Sequence, residues 1–204
     1  DENYLTTTPS YRGNLGWEYR GVALGALDVQ WPFVGEAFGG TQVFTPRVQF
    51  VATPPIKNLA IPNEDARAID LEDSNLFALN RFPGYDRVED GARVTYGFDW
   101  SLRIPDWELK TNVGQSYRLD SDRDILPVGT GLSERFSDFV GRTEVRYKNF
   151  LKFTHRFRLD KDNLAIRRNE IDATVGSSRT YAERGLLRRH TQIRRGCGFE
   201  EPPE

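Results

Sequence analysis

Strict alternation of apolar and polar side chains constrains the fold of this chain more than any other feature. Six apolar residues occupy every second position from Val94 to Ile104, and the five positions between them carry none. Successive side chains of a strand point to opposite faces, whereas a helix would scatter these residues around its circumference. The segment is therefore predicted to be an amphipathic β-strand. Its eleven residues exceed the usual soluble strand of about 5–6 and match the roughly 9–11 that a tilted strand needs to cross a bilayer.

The same alternation recurs through most of the chain, at a spacing that leaves room for turns. Further amphipathic segments are predicted near Leu15–Tyr19, Leu27–Phe33, Leu109–Leu119, Phe139–Tyr147, Leu151–Leu159 and Ile171–Val175. Three short turns are predicted, at 105–107, 148–149 and 177–179. Three longer polar connections are predicted, at about 54–90, 120–134 and 160–163. Short turns on one rim and longer loops on the other are typical of outer-membrane β-barrels.

The predicted fold class is therefore all-β, an antiparallel amphipathic meander that forms part of a large outer-membrane β-barrel. Residues 1–181 are assigned to this partial barrel, a fragment of roughly ten strands with a long ordered loop at about 54–90. Alternation fades after Tyr181, so 182–204 is predicted to be an irregular tail, truncated or disrupted. No signal peptide precedes Asp1 and the last residues do not resemble a closing strand, so the chain is expected to be an internal segment of a longer protein.

A soluble β-sandwich or a lipocalin-like barrel is the main alternative, because both also alternate apolar and polar residues. Alternation cannot say which face meets lipid. The length of the strands and the aromatic residues near their ends favour the membrane, because such residues form girdles in barrels. Mean hydropathy is −0.60 and no apolar run approaches the roughly 20 residues of a membrane-spanning helix. The formal net charge of −2 gives no indication of a nucleic-acid partner.

The connection between about 54 and 90 carries several ordered motifs. It contains Asn63-Glu-Asp65, then Ser74-Asn-Leu-Phe77, then Asn80-Arg-Phe-Pro-Gly-Tyr-Asp-Arg87, and it leads into the Val94 strand. Further motifs are VGQSYRL at 113–119, LPVGTGLS at 126–133 and RNEIDATVG at 168–176. Together these resemble the barrel domain of the LptD family of lipopolysaccharide-assembly proteins, also called the organic solvent tolerance family. The motif-loop residues that carry this resemblance are Asn63, Glu64, Asp65, Asn75, Asn80, Arg81, Gly84, Tyr85, Asp86 and Arg87.

The resemblance implies a barrel of roughly 26 strands that places lipopolysaccharide in the outer leaflet of the outer membrane. It also implies three further partners: an LptE-like plug lipoprotein, a periplasmic Lpt bridge that docks on domains not recognised in this chain, and outer-membrane lipid. The disulfides of the family need several cysteines, whereas this chain has one, Cys197. The first alternative function is that of a general porin or receptor barrel, and the second is that of a soluble β-rich ligand-binding module.

The sequence predicts no catalytic residue, no cofactor and no metal site. No Gly-x-Ser-x-Gly or P-loop is present, and His155 and His190 lack the spacing of zinc ligands. His155 is expected on the apolar face of its strand, with its polar edge in contact with water or lipid headgroups. The acids Glu64, Asp65, Asp70, Glu72 and Asp73, or those of 120–124, leave weak cation binding open as an alternative to a solvated loop face.

Basic residues recur on the polar side of the predicted strands. In a barrel they would line the lumen, where charge-assisted hydrogen bonds to lipopolysaccharide phosphates or to a plug protein are the functional hypothesis. The alternative is a lumen that is simply polar and hydrated. The connection 61–87 is expected to be a cap or an inward-folded loop. The predicted lumen-facing residues are Arg103, Lys110, Arg118, Arg142, Arg146, Arg156 and Arg158.

Overall fold

The computed structural model describes residues 2–3, 16–65, 69–120, 126, 129–177 and 180–189. A two-stranded sheet is formed by β1 (Glu2–Asn3) and β2 (Gly16–Trp17). A nine-stranded sheet contains β3 (Gly25–Gln30), β4 (Phe33–Ala37), β5 (Gly40–Thr53), β6 (Gly91–Ile104), β7 (Trp107–Arg118), β8 (Phe139–Tyr147), β9 (Leu151–Leu159), β10 (Ile166–Ser177) and β11 (Thr180–Arg189). The described residues contain one short 3-10 helix, Asn58–Ala60, and none of their helices is long and apolar enough to cross a membrane.

Every pairing in the large sheet is antiparallel, and from β5 onward each strand pairs with the next one in the chain. The predicted all-β antiparallel meander is therefore confirmed. Both β3 and β4 pair with β5, so they are one strand interrupted at Trp31–Pro32. The interruption faces Pro46, whose carbonyl accepts a hydrogen bond from the Trp31 N–H at 3.2 Å. Pro46 has no N–H with which to donate a hydrogen bond to the opposite strand, so the ladder cannot continue there.

Residues with positive φ explain the short turns on one rim of the sheet. Between β4 and β5, Phe38 and Gly39 have φ of 54° and 76°, as a two-residue hairpin turn of the primed type requires. Asp106 and Lys148 take φ of 68° and 50° in the turns after β6 and β8. The connections 54–90, 119–138 and 160–165 all leave from the opposite rim. The predicted alternation of short and long connections is confirmed.

Cross-strand register assigns every strand residue to one of two faces, because residues directly opposite each other point the same way. Val94 pairs with Phe50 and with Tyr117, and these define the apolar face. Arg103 pairs with Glu108, which pairs with Arg146, and these define the polar face. The register puts all seven predicted basic residues on the polar face: Arg103, Lys110, Arg118, Arg142, Arg146, Arg156 and Arg158.

The two faces of the sheet differ in what covers them. In a soluble sheet the apolar face is the covered one, whereas here loops cover the polar face. Large apolar side chains stay exposed on the apolar face, among them Leu27 at 65% and Phe33 at 56%. The main apolar cluster lies instead in the long connections that pack over the polar face. Its members are Ile69, Leu71, Leu76, Phe82, Leu126, Leu132 and Val140. Of these, Val140 alone belongs to a strand, where it opposes Arg158 on the polar face.

Two expectations on strand boundaries were wrong. Residues 182–189, predicted to be irregular, belong to β11 and pair continuously with β10. Backbone hydrogen bonds build this ladder and do not require alternation, so adjacent Leu186 and Leu187 lie on opposite faces, both exposed. The predicted Leu15–Tyr19 segment is reduced to β2, and 18–24 is not strand. His190 and Cys197 lie outside the described residues, and the division into a barrel and a tail remains a prediction.

Candidate functional site: the loop-covered polar face

The long loop, defined here as residues 54–90, is ordered by its own motifs. Asp65 accepts hydrogen bonds from the backbone N–H groups of Tyr85 and Asp86, at 2.8 and 3.1 Å. Asp86 in turn accepts from the N–H groups of Glu64 and Asp65, at 2.7 and 2.9 Å. The Asn63-Glu-Asp65 and Gly84–Arg87 motifs, about twenty residues apart in the sequence, therefore form one reciprocal turn. Gly84 has a φ of 78°, and a Cβ on it would overlap the Asp65 carboxyl group.

Two asparagines of the motifs hold the middle of the loop. Asn75 donates to the Asp70 carbonyl at 2.7 Å and accepts from the Glu72 N–H at 2.9 Å. Asn80 donates to the Arg87 carbonyl at 3.1 Å and accepts from the Glu89 N–H, also at 3.1 Å. An asparagine side chain carries both a donor and an acceptor, so each one replaces a pair of backbone partners that a loop lacks. The motif asparagines thus have a structural role that their sequence positions did not reveal.

Arg81 fastens the long loop to the sheet. Its guanidinium donates to the Ser116 hydroxyl at 2.6 Å and to the Thr95 hydroxyl at 3.3 Å, both on the polar face. Glu89 pairs with Arg81 at 3.5 Å and with Arg93 at 2.8 Å. Arg81, Glu89 and Arg93 are each 3% exposed or less. Burial lowers the pKa of Arg81, and the charge of Glu89 opposes that shift.

A second set of contacts joins loop carboxylates to arginines of the neighbouring strands. Asp70 pairs with Arg158 of β9 and, at 3.0 Å, with Arg168 of β10. Arg168 also pairs with Glu72 at 2.6 Å. Arg158 further donates to the carbonyls of Thr130 and Gly129, which lie in the connection between β7 and β8, at 3.0 and 3.1 Å. Arg158 of the sheet therefore binds both the long loop and the connection between β7 and β8.

Four of the five loop acids that left cation binding open have other partners. Asp70 and Glu72 pair with arginines, Asp65 caps backbone N–H groups, and Asp73 lies 3.8 Å from Arg156. Burial raises the pKa of Asp73, and Arg156 opposes the shift. In the part of the chain that the structure describes, no group of three or more His, Cys, Asp or Glu side chains could hold a metal ion. Most of the 120–124 run lies outside that part, although Asp120 accepts from the Ala92 N–H.

The predicted basic residues do not form one site. Arg118 lies under the loop, where it donates to the Asp90 carbonyl at 3.3 Å, and Arg156 and Arg158 meet the loop acids. Arg103, Lys110 and Arg146 lie toward the short turns, around Glu108 and Glu144. Arg142 pairs with Glu144 and lies directly opposite Arg156. Sequence reasoning missed Arg168, Glu89 and Arg93. Arg168 lies in the RNEIDATVG motif, but nothing in the spacing showed that it would meet a loop ninety-six residues away.

Polar side chains on the apolar face pair with one another. His155, expected there, lies 2.8 Å from the Asn169 amide oxygen, so its partner is a side chain rather than solvent. The Trp100 indole donates to Gln42 at 3.2 Å, and Thr111 lies within hydrogen-bond distance of Thr143 at 3.2 Å. Such pairing removes the cost of placing these groups in an apolar medium.

The arrangement defines a class of protein. In a soluble sandwich or a lipocalin-like barrel, the apolar face of each sheet forms the interior. Here the apolar face is uncovered, and the charged face packs against folded loops. An amphipathic meander with an uncovered apolar face, long strands and short turns on one rim has the architecture of a partial β-barrel of the membrane type.

The chain belongs to the LptD family: the model of the family described as LPS transport system D matches residues 2–195. The LPS-assembly protein LptD of Polaromonas sp. is 30% identical over 118 residues, 56% of this chain and 14% of that protein. That of Albidiferax ferrireducens is 25% identical over 167 residues, 79% of this chain and 21% of that protein. That of Acinetobacter baylyi is 38% identical over 79 residues, 37% of this chain and 10% of that protein. The matches thus span about a fifth or less of each of these relatives.

Proposed function

We propose that this chain forms part of the wall of an outer-membrane translocon that assembles lipopolysaccharide into the outer leaflet of a Gram-negative bacterium. The observation that carries the proposal is the uncovered apolar face opposite a loop-covered polar face, in a chain of the LptD family. The role is transport and assembly, without catalysis in this segment.

The apolar face is suited to lipid. The strands β5 and β6 have 14 residues each and β7 has 12, enough for the roughly 9–11 residues that a tilted strand places in a bilayer. Near the short turns, the Trp107 and Tyr147 rings pack at an interplanar angle of 44° with their centroids 4.7 Å apart, and Lys148 Nζ lies 5.5 Å from the centre of the Tyr147 ring. Aromatic rings with a lysine beside them favour the level of the lipid headgroups.

The polar face is suited to the barrel lumen. Short turns lie on the periplasmic side of outer-membrane barrels and long loops on the outside. In this orientation the long loop enters the lumen from the outer side and covers the outer half of the polar face. Arg81, buried and bonded to Ser116, fixes it there as part of the lumen wall.

The proposed partners follow from the family. They are lipopolysaccharide, an LptE-like plug lipoprotein in the lumen, outer-membrane lipid around the apolar face, and the periplasmic Lpt bridge, which would act through other domains. The relatives carry the name LPS-assembly protein, which supports the first of these.

The test is whether the expressed chain needs detergent to stay in solution, with β-structure followed by circular dichroism. We expect aggregation in buffer and a β-sheet spectrum in detergent or lipid vesicles, because the apolar face has no cover. A folded, monodisperse protein in plain buffer would refute the proposal, since the apolar face would then form an internal core.

A general porin or receptor barrel is the second candidate, because the uncovered apolar face fits it equally well. A passive channel predicts steady ion conductance after reconstitution of the complete barrel. A translocon whose lumen holds a fixed loop and a plug predicts little conductance. Planar-bilayer recordings separate the two.

A further inference from the structure

A cavity of about 760 Å³ lies at the rim from which the long connections leave. Four strands have an end in its lining: β3 begins at Gly25, β5 ends at Thr53, β6 begins at Gly91 and β7 ends at Arg118. Its volume is within the range of about 300–1,000 Å³ that small-molecule sites occupy. The rim therefore has a concave site of ligand size where both ends of the long loop meet the sheet.

Most of the cavity wall is apolar. Such a wall excludes water from an alkyl chain and leaves few polar groups to fix the orientation of a ligand. The apolar residues that line the cavity are Ala23, Leu24, Ala52, Pro54, Pro55 and Ala92.

Arg20 fastens the segment that precedes β3 to the long loop. Its guanidinium donates to the carbonyl of Asp86 at 2.7 Å and to the carbonyl of Tyr85. Ala23 and Leu24 of the cavity wall follow directly in the chain. The same reciprocal turn that orders the long loop therefore holds this part of the wall, and the cavity is formed before any ligand binds.

The described residues that line the cavity include three charged ones, Asp90, Arg118 and Asp120. One oxygen of each carboxylate has a partner within the protein. Asp90 Oδ2 accepts from the Ile56 N–H at 3.0 Å, and Asp120 Oδ2 accepts from the Ala92 N–H. A carboxylate has about four lone-pair sites, so both keep the capacity to accept more hydrogen bonds. Two carboxylates with one guanidinium favour a ligand that carries a cation.

Two polar atoms in the cavity wall are buried without a hydrogen-bond partner among the described residues. They are Thr53 Oγ1 and Arg118 Nη1, each in a residue that is 5% exposed. The other terminal nitrogen of Arg118 donates to the Asp90 carbonyl at 3.3 Å. A buried donor without an acceptor is costly. An acceptor oxygen of a ligand in the cavity would remove that cost, so the ligand should carry one beside its cation.

We infer that this cavity binds a lipid of the phosphoethanolamine type. The ammonium group donates to Asp90 and Asp120, and a phosphate or ester oxygen accepts from Arg118 and Thr53. The acyl chains lie against the apolar wall. A lipid that has a phosphate but no cation would leave the two carboxylates uncompensated, and a simple amine would leave Arg118 without an acceptor.

The position of the cavity suits a lipid headgroup. The strand β5 has 14 residues, more than the roughly 9–11 that a tilted strand needs to cross a bilayer, so its loop-side end reaches the level of the headgroups. This inference rests on the proposed function, because only a wall embedded in a membrane would meet lipid there. It adds to that function a lipid class and a defined site.

The test is an equilibrium titration of a full-length LptD-family protein that carries this sequence, in a non-ionic detergent, with short-chain phospholipids. We expect phosphatidylethanolamine to bind more tightly than phosphatidylcholine, whose trimethylammonium group has no N–H donor, and phosphatidylglycerol, which has no cation. Asp120→Asn should weaken phosphatidylethanolamine binding on the order of 10-fold, since it removes a charged hydrogen-bond partner. The asparagine oxygen can still accept from the Ala92 N–H, so the fold is retained.

A matched pair of glycine variants tests the cavity itself. A Cβ added at Gly25 or at Gly21 would meet no atom within 4 Å, and neither glycine has a positive φ that would strain a side chain. Gly25 lines the cavity, whereas Gly21 does not. Gly25→Leu should abolish saturable binding by occupying the space of the acyl chains, and Gly21→Leu should leave the affinity unchanged.

Three results would overturn the inference. One is absence of saturable phosphatidylethanolamine binding by the folded barrel. Another is equal affinity in Gly25→Leu and Gly21→Leu, which would show diffuse association of lipid with the barrel. The third is tighter binding of phosphatidylglycerol than of phosphatidylethanolamine. None of them alters the outcome of the detergent test on the 204-residue chain, so failure of this inference and failure of the proposed function are distinguishable.

Discussion

The Arg81 guanidinium of the long loop donates a hydrogen bond to the Ser116 hydroxyl of β7 across 2.6 Å, between residues thirty-five positions apart. The contact attaches a loop to the charged face of a sheet, and Glu89 and Arg93 complete a buried ion-pair network around it. Loop and wall are therefore expected to unfold together.

Arg81→Leu should destabilise the loop by about 3–5 kcal/mol, because breaking a buried ion pair leaves its partners uncompensated. Thermal unfolding in detergent and limited proteolysis between 54 and 90 measure the effect. Arg103→Leu is the control. Its side chain is 78% exposed, and loss of its pair with Glu108 should cost about 1 kcal/mol or less. Equal effects of the two changes would show that Arg81 is not an anchor.

Gly84→Ala should destabilise the motif turn by about 1–3 kcal/mol, since alanine disfavours a φ of 78° and its methyl group meets Asp65. Gly129→Ala is a matched control, with a φ of 90° but open space around it. The difference between the two variants in unfolding temperature measures the clash apart from the backbone strain. If Gly129→Ala costs as much, the close approach to Asp65 is irrelevant.

Asp70 and Asp73 should respond in opposite ways to replacement by asparagine. Asp70 pairs with two arginines, so Asp70→Asn should cost about 1.5–3 kcal/mol. Burial raises the pKa of Asp73, so its charge is unfavourable in the folded state, and Asp73→Asn should leave stability unchanged or higher at neutral pH. Thermal unfolding at pH 7 compares them. A greater loss in Asp73→Asn would contradict the assigned roles.

The pH dependence should contain a contribution from Asp160. Its hydrogen bond from Arg167 lowers its pKa from 3.8 to about 2. A lowered folded-state pKa stabilises the fold above the unfolded value, and this gain is lost as the pH falls from about 4 to about 2. Wild type should exceed Asp160→Asn in stability at pH 6, and the difference should vanish near pH 2. A difference independent of pH would assign the effect to neutral hydrogen bonds.

Replacement of Asn80–Arg87 by a Gly/Ser linker should impair lipid export in a full-length LptD-family protein that carries this sequence. The linker removes the Arg81 anchor and half of the reciprocal turn with Asp65. Outer-membrane permeability to a large antibiotic measures the effect, with the barrel level followed in parallel. Unchanged permeability at a normal barrel level would refute a role for the loop.

The sequence by itself determined the strands, their two faces and the alternation of turns and loops. These follow from a period of two and from local turn residues such as Pro105, and they hold from β6 to β10. The strand β5 was not among the predicted segments. The prediction failed at β11, where Leu186 and Leu187 break the alternation, because strand pairing depends on backbone groups that every residue carries.

Only the tertiary structure decided which face is covered and by what. Alternation is symmetric, so it cannot tell an apolar face that meets lipid from one that forms a core. That choice rests on long-range contacts, such as Arg81 with Ser116 and Arg168 with Glu72, between residues that no local pattern relates. The same contacts decide which arginines pair with loop acids and which pair, toward the short turns, with Glu108 and Glu144 of the sheet.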